Sequence, residues 1–338
     1  MEKIALVTGA NGFIGSHLSC FLVEKGFKVY AIHRKDISKN PKFMEYKKQG
    51  KIISFLGDVS NFDYSSVPKV NYIYHIAGKV SVYGPMKEFM KINYEGTQNI
   101  LNYAQKMGVE CFTYFSSTAV YGYYGYQNLP EEAEKKPFKN PYSISKLKTE
   151  NLVKDFCFKN KIDYVIIRPG NVYGEYDYTS SHEIYTRIKK EKMMICAGGK
   201  YKSCFVYVQN LVDAVLYVST KKEFRNTDYN ITDGQNETLK EMFTSIAKTF
   251  NVRPKFTNFP APIAKCVASL VEGVYKLFFI KKAPLITRFS IWQNCADYNF
   301  SIKKLLNTGF KPEVSMQDGI KRTCDWILSL EDKNGTKK

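Results

Sequence analysis

A short apolar run that leads directly into a glycine-rich turn constrains the fold of this sequence most strongly. Residues 4–7 are all apolar, which is typical of a buried strand, and apolar residues at helical spacing begin at position 14. The turn between them carries three glycines, which suit a tight bend, close approach of the backbone to a diphosphate, and helix–strand packing. This order predicts a dinucleotide-binding unit. The residues expected at the dinucleotide are Gly9, Asn11, Gly12, Phe13, Ile14 and Gly15.

Strand-like and helical segments alternate through the first half of the chain. This alternation predicts an α/β fold with a doubly wound parallel sheet of the Rossmann type and helices on both faces. After residue 169 the alternation loosens, but 205–218 predicts a strand running into a helix that rejoins the sheet, and 228–231 a further strand. The earlier predicted strands are 3–7, 28–33, 51–56, 70–76, 110–115 and 163–168, and the predicted helices are 14–25, 40–49, 86–107 and 141–159.

This pattern divides the chain into two interleaved domains and a tail. We expect a smaller, mostly helical lobe to bind the substrate, because the sheet segments account for the dinucleotide site. The dinucleotide-binding domain is predicted at 1–174 and 205–232, the substrate-binding lobe at 175–204 and 233–330, and a frayed polar tail at 331–338.

A tyrosine and a lysine one helical turn apart are the strongest candidates for chemistry. Asn140 and Pro141 precede them as a helix start, so Tyr142 and Lys146 share one face of the predicted helix. A neighbouring cation lowers the pKa of a phenol from its usual value near 10. Tyr142 could then exchange a proton with an alcohol or ketone.

Composition excludes several classes of protein. The chain has no uncharged apolar run of 18 residues and opens on the first strand, so we predict neither a membrane span nor a secretory signal. Its eight cysteines lack C-x-x-C spacing and its four histidines form no cluster, which favours a reducing, cytoplasmic compartment and no metal site. The net charge is +18, but lysines are spread along the chain and no nucleic-acid motif occurs, so no nucleic-acid partner is expected.

Further motifs give the chain a family resemblance that runs from about residue 3 to 328. With the glycine turn and the Tyr142/Lys146 pair, the sequence resembles the extended short-chain dehydrogenase/reductase superfamily, of the NAD-dependent epimerase/dehydratase type. The motifs that carry the resemblance lie at 57–59, 75–78, 93–97, 116–122 and 168–174.

The resemblance implies roles for individual residues. Ser117 would donate a hydrogen bond to the substrate oxygen, Tyr142 would transfer the proton, and Lys146 would lower the Tyr142 pKa and bind the nicotinamide ribose. Asn93 is expected to have a structural role. The remaining cofactor contacts implied are Asp58 and Val59 at the adenine, together with Ala77, Pro169 and Val172.

The end of the second predicted strand bears on the choice of cofactor. NAD-specific relatives carry an acid there for the ribose 2′-hydroxyl, whereas this chain has His33, Arg34 and Lys35. Arg34 can bind a 2′-phosphate, which favours NADP(H). The nearby Asp36 leaves NAD(H) open.

The expected substrate class depends on which motif residues of related enzymes this chain has and which it lacks. The acid pair of the dehydratases is replaced by Thr118 and Ala119, so dehydration is not expected. The diphosphate-binding arginine of nucleotide-sugar epimerases is missing from 203–208, although Lys202 is adjacent. The segment 263–289 resembles the 3β-hydroxysteroid dehydrogenase and 2-alkyl-3-oxoalkanoate reductase branch.

We therefore expect an oxidoreductase that interconverts a secondary alcohol and a ketone on a hydrophobic, steroid- or sterol-like or β-keto acid-like substrate. A nucleotide-sugar 4-epimerase or reductase and a non-catalytic NADP(H)-binding sensor are the alternatives. Residues 263–289 are expected to cover an apolar pocket. Peripheral membrane contact through this lobe is possible. The alternative is that 263–280 is an ordinary amphipathic helix covering the core. A homodimer is also expected.

Overall fold

A seven-stranded parallel sheet organises the computed structural model, which describes residues 3–278, 280, 282–284 and 286–335. Most residues of its inner strands are buried, as expected when helices cover both faces of a parallel sheet. The strands are β1 (Lys3–Thr8), β2 (Phe27–His33), β3 (Ile52–Leu56), β4 (Tyr72–His75), β5 (Cys111–Phe115), β6 (Tyr126–Leu129), β7 (Tyr164–Pro169), β8 (Asn171–Tyr173), β9 (Met193–Cys196), β10 (Phe205–Tyr207), β11 (Thr227–Ile231), β12 (Phe256–Phe259) and β13 (Tyr298–Phe300).

The strand order places a ligand crevice near the middle of this sheet. The order is β11-β7-β5-β4-β1-β2-β3, so successive strands run outward in opposite directions from the β1/β4 pair. A reversal of this kind opens a crevice beyond the carboxyl ends of the strands, where such folds bind ligands. The other six strands form three parallel pairs, β8 with β10, β9 with β12 and β6 with β13.

Helices cover both faces of the sheet. The helices are α1 (Phe13–Glu24), α2 (Pro41–Lys48), α3 (Met86–Phe89), a π-helical segment (Met90–Glu95), α4 (Gly96–Met107), α5 (Pro141–Asn160), α6 (Ser180–Lys189), α7 (Val208–Thr220), α8 (Leu239–Thr249), α9 (Ala261–Leu277), α10 (Arg288–Asn294), α11 (Lys303–Asn307) and α12 (Met316–Gly335).

Two hydrophobic clusters hold these layers together. One face of the sheet packs against α1 and α7, through residues such as Leu18 and Val215. The other face packs against α4 and α5, through residues such as Leu101 and Val153. The predicted doubly wound α/β sheet is therefore confirmed, and each central strand lies within two residues of its predicted bounds.

Three parts of the chain differ from the sequence-based expectation. The predicted helix at 86–107 is interrupted by the π-helical segment, where the Asn93 carbonyl accepts hydrogen bonds from the hydroxyls of Thr97 and Thr149. The strand predicted at the start of 205–218 pairs with β8 instead of joining the central sheet. Helix α12 continues to Gly335, so much of the expected frayed tail at 331–338 is helical, and 336–338 lie outside the described residues.

Candidate functional site

The glycine turn brings three segments of backbone into close contact beyond the end of β1. Gly9 has φ +67°, and a Cβ there would lie 3.0 Å from the backbone of Ala77. A Cβ on Gly15 would lie 2.2 Å from the Gly9 carbonyl oxygen, so helix α1 can start this close to the turn only with glycine at that position. Both features fit a cradle for a bound phosphate group.

Helix α1 begins at this turn without a capping side chain. Gly12 occupies the cap position in an extended conformation, and Phe13 and Ile14 are the first helical residues. The N–H groups of an uncapped first turn, together with the helix dipole, suit an anion. The turn therefore fits the diphosphate of a dinucleotide, as its sequence predicts.

Asn11 links the glycine turn to the loop after β2. Its side-chain amide donates to the carbonyl oxygens of Lys35 (2.6 Å) and Ile37 (3.0 Å). These bonds fix the loop that carries Arg34 beside the site. Asn11 thus contributes by positioning this loop in the structure.

The charged residues expected at the adenosine end lie together. The Arg34 side chain is largely exposed and lies 3.8 Å from an Asp58 carboxylate oxygen. Burial alone would raise the pKa of Asp58, but hydrogen bonds from Ser60 and the charge of Arg34 hold this pKa below its usual value. Val59 is buried against Gly96, whereas Asp58 keeps part of its side chain in solvent.

The residues on either side of Arg34 in the sequence contact other parts of the protein. His33 is buried with its ring edge against Phe43, and burial lowers its pKa. Asp36 forms an ion pair with Lys47. Of the side chains at this strand end, Arg34 is the exposed cation that also lies next to Asp58.

The predicted catalytic residues converge at one end of a cavity. Ser117 precedes a short 3-10 turn beyond β5, and Tyr142 and Lys146 lie in the first two turns of α5, which is capped by the Asn140 side chain. The Lys146 ammonium is buried, donates to the Phe115 carbonyl oxygen at 2.7 Å, and lies over the ring of Tyr114.

Burial dominates the proton equilibria of this group. It lowers the pKa of Lys146 to about 8, partly opposed by the carboxylate of Glu150. It also raises the pKa of Tyr142, and a hydrogen bond with Ser117 opposes this rise. The lowered Tyr142 pKa expected from the neighbouring lysine is therefore wrong for this structure, because desolvation of the phenolate outweighs the other effects.

Asn93 and His75 fix the helix and strand beside this group. The Asn93 side chain accepts from the Lys79 backbone N–H at 2.6 Å and donates to the Ser145 hydroxyl at 2.8 Å, next to Lys146 in α5. His75 is bonded through its two ring nitrogens to the hydroxyls of Thr8 and Thr97. The structural role expected for Asn93 agrees with these contacts.

The cavity itself has a volume of about 600 Å³ and extends from the ends of β4, β5 and β7 to β9, α8 and α10. Ile14, Pro169 and Val172, all predicted to be near the cofactor, lie in its wall with the three catalytic candidates. Lys146 is the one charged side chain among the described residues that line the cavity, and Lys202 is not among these residues. The remaining wall is mainly apolar, with neutral polar groups such as Asn171 and Gln293.

One residue of the segment expected to roof the pocket lies against the catalytic group. Phe289 in α10 meets the ring of Tyr142 edge-on at a centroid separation of 6.4 Å, and so covers the catalytic candidate. Met193 and Ile195 of β9, which the sequence did not single out, also line the cavity. Their sequence signal was weak, because β9 is a short strand without clear periodicity.

The expectation that all of 263–289 roofs the cavity requires a correction. Helix α10 contributes to the wall, but the large apolar residues of α9 face solvent; Leu270, for example, is 69% exposed. The alternative of an ordinary amphipathic helix also does not describe α9 fully, since its buried side chains are Ala264, Ala268 and Glu272, whereas most of its large apolar side chains are exposed.

Among the described residues, no group of three or more His, Cys, Asp or Glu side chains is arranged to hold a metal ion. None of the described helices has the length and apolarity needed to cross a membrane.

Three known proteins are similar to this chain over most of its length. Mouse dTDP-D-glucose 4,6-dehydratase is 28% identical over 96% of this chain and 88% of its own length. The N-acetyl-alpha-D-glucosaminyl-diphospho-ditrans,octacis-undecaprenol 4-epimerase of Escherichia coli O157:H7 is 24% identical over 96% of each chain. The crystal structure of Bacillus cereus UDP-glucuronic acid 4-epimerase in complex with NAD shares the fold, with a TM-score of 0.76 and 20% identity over 97% of this chain and 99% of that one.

The match to a family covers most of the site described above. Residues 5–232 match the NAD dependent epimerase/dehydratase family, and this range contains the glycine turn, Ser117, Tyr142 and Lys146. The relatives named above do not include the steroid branch suggested by 263–289. The chain therefore belongs to the NAD dependent epimerase/dehydratase family, a family of NAD-dependent enzymes of the oxidoreductase type.

Proposed function

We propose that this enzyme oxidises and re-reduces a secondary alcohol carbon of a sugar carried on a diphosphate, as 4-epimerases do. The observation that carries the proposal is the convergence of Ser117, Tyr142 and Lys146 on one cavity at the crevice of the sheet. The relatives support the sugar as substrate, since those named above act on nucleotide-linked or undecaprenol-linked sugars.

Three side chains can have separate chemical roles at the reacting carbon. In this proposal Ser117, which lines the cavity, donates a hydrogen bond to the substrate oxygen, and Tyr142 takes the hydroxyl proton and returns it. Lys146 can hydrogen-bond to a ribose while its charge stabilises the phenolate. A bound nicotinamide dinucleotide supplies the hydride acceptor and donor.

Epimerisation fits the cavity better than dehydration does. Eliminating water from a sugar needs an acid to protonate the leaving hydroxyl. No Asp or Glu side chain is found among the described residues that line the cavity. Thr118, at the position of the missing acid, donates its hydroxyl to the Pro169 carbonyl oxygen at 3.3 Å.

We propose NAD(P)(H) as the cofactor, with NADP(H) favoured by the exposed Arg34. The Bacillus cereus structure supports NAD, because it contains NAD. The Arg34–Asp58 pair is compatible with both, since a 2′-phosphate could bind Arg34 and a 2′-hydroxyl could donate to Asp58.

A hydrophobic alcohol or ketone is the second candidate substrate. The wall of the cavity supports it, because residues such as Val82, Met193 and Phe205 leave Lys146 as the single lining cation in the described part of the chain. A diphosphate inside this cavity would lack a cationic partner, which is costly. The sensor alternative receives no support from the family, which is catalytic.

The two candidates are separated by a substrate panel. Purified protein would be incubated with NAD⁺ or NADP⁺ and with UDP-glucose, UDP-N-acetylglucosamine, a short-chain polyprenyl diphosphate N-acetylglucosamine, or apolar secondary alcohols. We expect chromatography to show a 4-epimer of a sugar diphosphate without net accumulation of reduced cofactor. Net cofactor reduction by an apolar alcohol, with no change in any sugar, would favour the second candidate and refute the first.

Two further properties remain proposals. A homodimer is supported by the groove between the π-helical segment and α5, whose lining is half apolar and half polar or charged: Met90, Tyr94, Leu152 and Phe156 with Lys148, Asn151, Asp155 and Lys159. Light scattering of the purified protein tests the homodimer, and a monomer at all concentrations would refute this proposal.

A cytoplasmic location is supported by the eight cysteines, all of them free thiols.

A further inference from the structure

Helix α9 has most of its large apolar side chains on the outside. For an ordinary surface helix the large apolar residues face the core and the polar residues face water. The buried side of α9 instead carries Ala264, Ala268 and Glu272, whose carboxylate accepts from the Arg288 backbone N–H at 2.6 Å. The exposed stripe, which continues to the residue after the helix, consists of Ile263, Val267, Leu270, Val274, Leu277 and Phe278.

The segment around this apolar stripe is strongly basic. Between residues 251 and 296 the sequence contains one acidic residue, Glu272, and that carboxylate is buried against α10. Two copies of the chain packed through the stripe would therefore bring two positive segments together, which is unfavourable. An anionic surface would attract them instead. The basic residues of this segment are Arg253, Lys255, Lys265, Lys276, Lys281, Lys282 and Arg288.

The cavity wall is connected to α9 through strands β9 and β12. Val80 and Met194, two residues of the cavity wall, are also exposed apolar residues. Strand β9, which carries Met194, pairs with β12, and α9 begins two residues after the half-exposed Phe259 that ends β12. On the other side, Tyr83 contacts Tyr275 of α9 ring to ring at 6.4 Å.

We infer that the outer face of α9 binds an anionic lipid surface as an interfacial helix. Its large apolar side chains would enter the acyl boundary of one leaflet while the surrounding lysines and arginines meet the lipid headgroups. The inner face stays packed on α10, so the helix lies along the surface. This inference goes beyond the proposed chemistry and does not depend on it.

Vesicle sedimentation tests this inference without any substrate. The full chain would be mixed with phosphatidylcholine vesicles that contain or lack about 30 mol% phosphatidylglycerol. We expect binding to the anionic vesicles that weakens with salt. Leu270→Ser combined with Leu277→Ser leaves the charge unchanged, and should weaken this binding at least about tenfold, because two apolar side chains no longer enter the bilayer.

Phe158→Ser is the matched control, since Phe158 is an apolar residue of α5 that is even more exposed. Unchanged circular dichroism and cofactor affinity show that each variant is folded. The inference is overturned if the wild-type chain does not sediment with anionic vesicles, or if the control and the α9 variant lose binding equally. It is also overturned if the α9 substitutions abolish a dimer in solution but leave vesicle binding intact.

Discussion

At the scale of single residues, the environment of the catalytic group matters as much as its identity. The Tyr142 phenol and the Lys146 ammonium are both desolvated, so each is pushed towards its neutral form. The ammonium is held by the Phe115 carbonyl oxygen. Burial thus brings the pKa of Lys146 towards neutral pH, to about 8, but moves the pKa of Tyr142 further above it.

Tyr142→Phe removes only the hydroxyl that we assign to proton transfer. We expect cofactor affinity to stay within about twofold and turnover to fall by about 10²–10⁴-fold, the usual contribution of a general acid–base group. Fluorescence titration with NAD(P)H and steady-state turnover measure the two effects. Turnover close to that of the wild type would mean that another group moves the proton.

The pH dependence of stability reports on Lys146. An unfolded lysine has a pKa near 10.4 and the folded one a pKa of about 8, so between these values the unfolded state holds the extra proton. The free energy of unfolding should therefore rise by about 2 kcal/mol from pH 8 to pH 10 through this residue. Urea denaturation should show this rise in the wild type relative to Lys146→Met. Parallel pH profiles would contradict the buried, neutralised lysine.

Arg34→Asp tests the choice of cofactor. It should shift preference from NADPH towards NADH by about 2–4 kcal/mol, because a charge-assisted bond to the 2′-phosphate is replaced by repulsion. The ratio of dissociation constants for the two cofactors measures the shift. Lys35→Asp makes the same change of charge one residue away, and an equal shift in that control would mean that local charge, and not a bond from Arg34, sets the preference.

At the scale of elements, the neighbouring helices α9 and α10 have opposite roles. Helix α10 faces the cavity and places Phe289 against Tyr142, Tyr123 and Phe138. Helix α9 lies outside it and faces solvent with its apolar stripe. The π-helical segment has a third role, because it holds the loop at Lys79 next to helix α5. Its Asn93 side chain accepts a hydrogen bond from the Lys79 backbone and donates one to Ser145 of α5.

A pair of substitutions separates the roles of α10 and α9. Phe289→Leu should lower turnover about three- to tenfold with unchanged cofactor affinity, because the edge-on ring contact that orients Tyr142 is lost. Leu270→Asp should leave turnover of a water-soluble substrate unchanged, since Leu270 is exposed. The opposite ranking in a turnover assay would mean that α9 reaches the cavity after all.

At the scale of the whole molecule, a buried ionic network joins distant parts of the chain. Arg168 of β7 is fully buried and binds both carboxylate oxygens of Glu150 in α5 at 2.9 Å. It also donates to the Tyr121 hydroxyl at 2.6 Å and pairs with Asp228 of β11. The sheet, the catalytic helix and the 3-10 turn after Ser117 are thereby held in one arrangement.

Arg168→Met should destabilise the protein by about 3–5 kcal/mol, because it leaves the buried carboxylate of Glu150 without its partner. Chemical denaturation gives the free energy of unfolding. Combining it with Glu150→Met should recover part of the loss, since neither charge then remains buried alone. A loss below about 1 kcal/mol for the single variant would show that the network adds little to stability.

The sequence determined those features that depend on residues close together in the chain. The glycine turn, the alternation of strands and helices, and the pairing of Tyr142 with Lys146 follow from backbone conformation and from the i, i+4 geometry of a helix. These local rules were enough to predict the doubly wound sheet and the family resemblance. They also placed Arg34 at the end of β2.

The tertiary structure decided those features that depend on contacts between segments far apart in the sequence. Apolar spacing shows that α9 has an apolar face, but only its packing on α10 shows that this face points outward. The pairing of Arg34 with Asp58 and the approach of Phe289 to Tyr142 join residues 24 or more positions apart. The pKa of Tyr142 rises because burial, which no local pattern records, outweighs the effect expected from the neighbouring lysine.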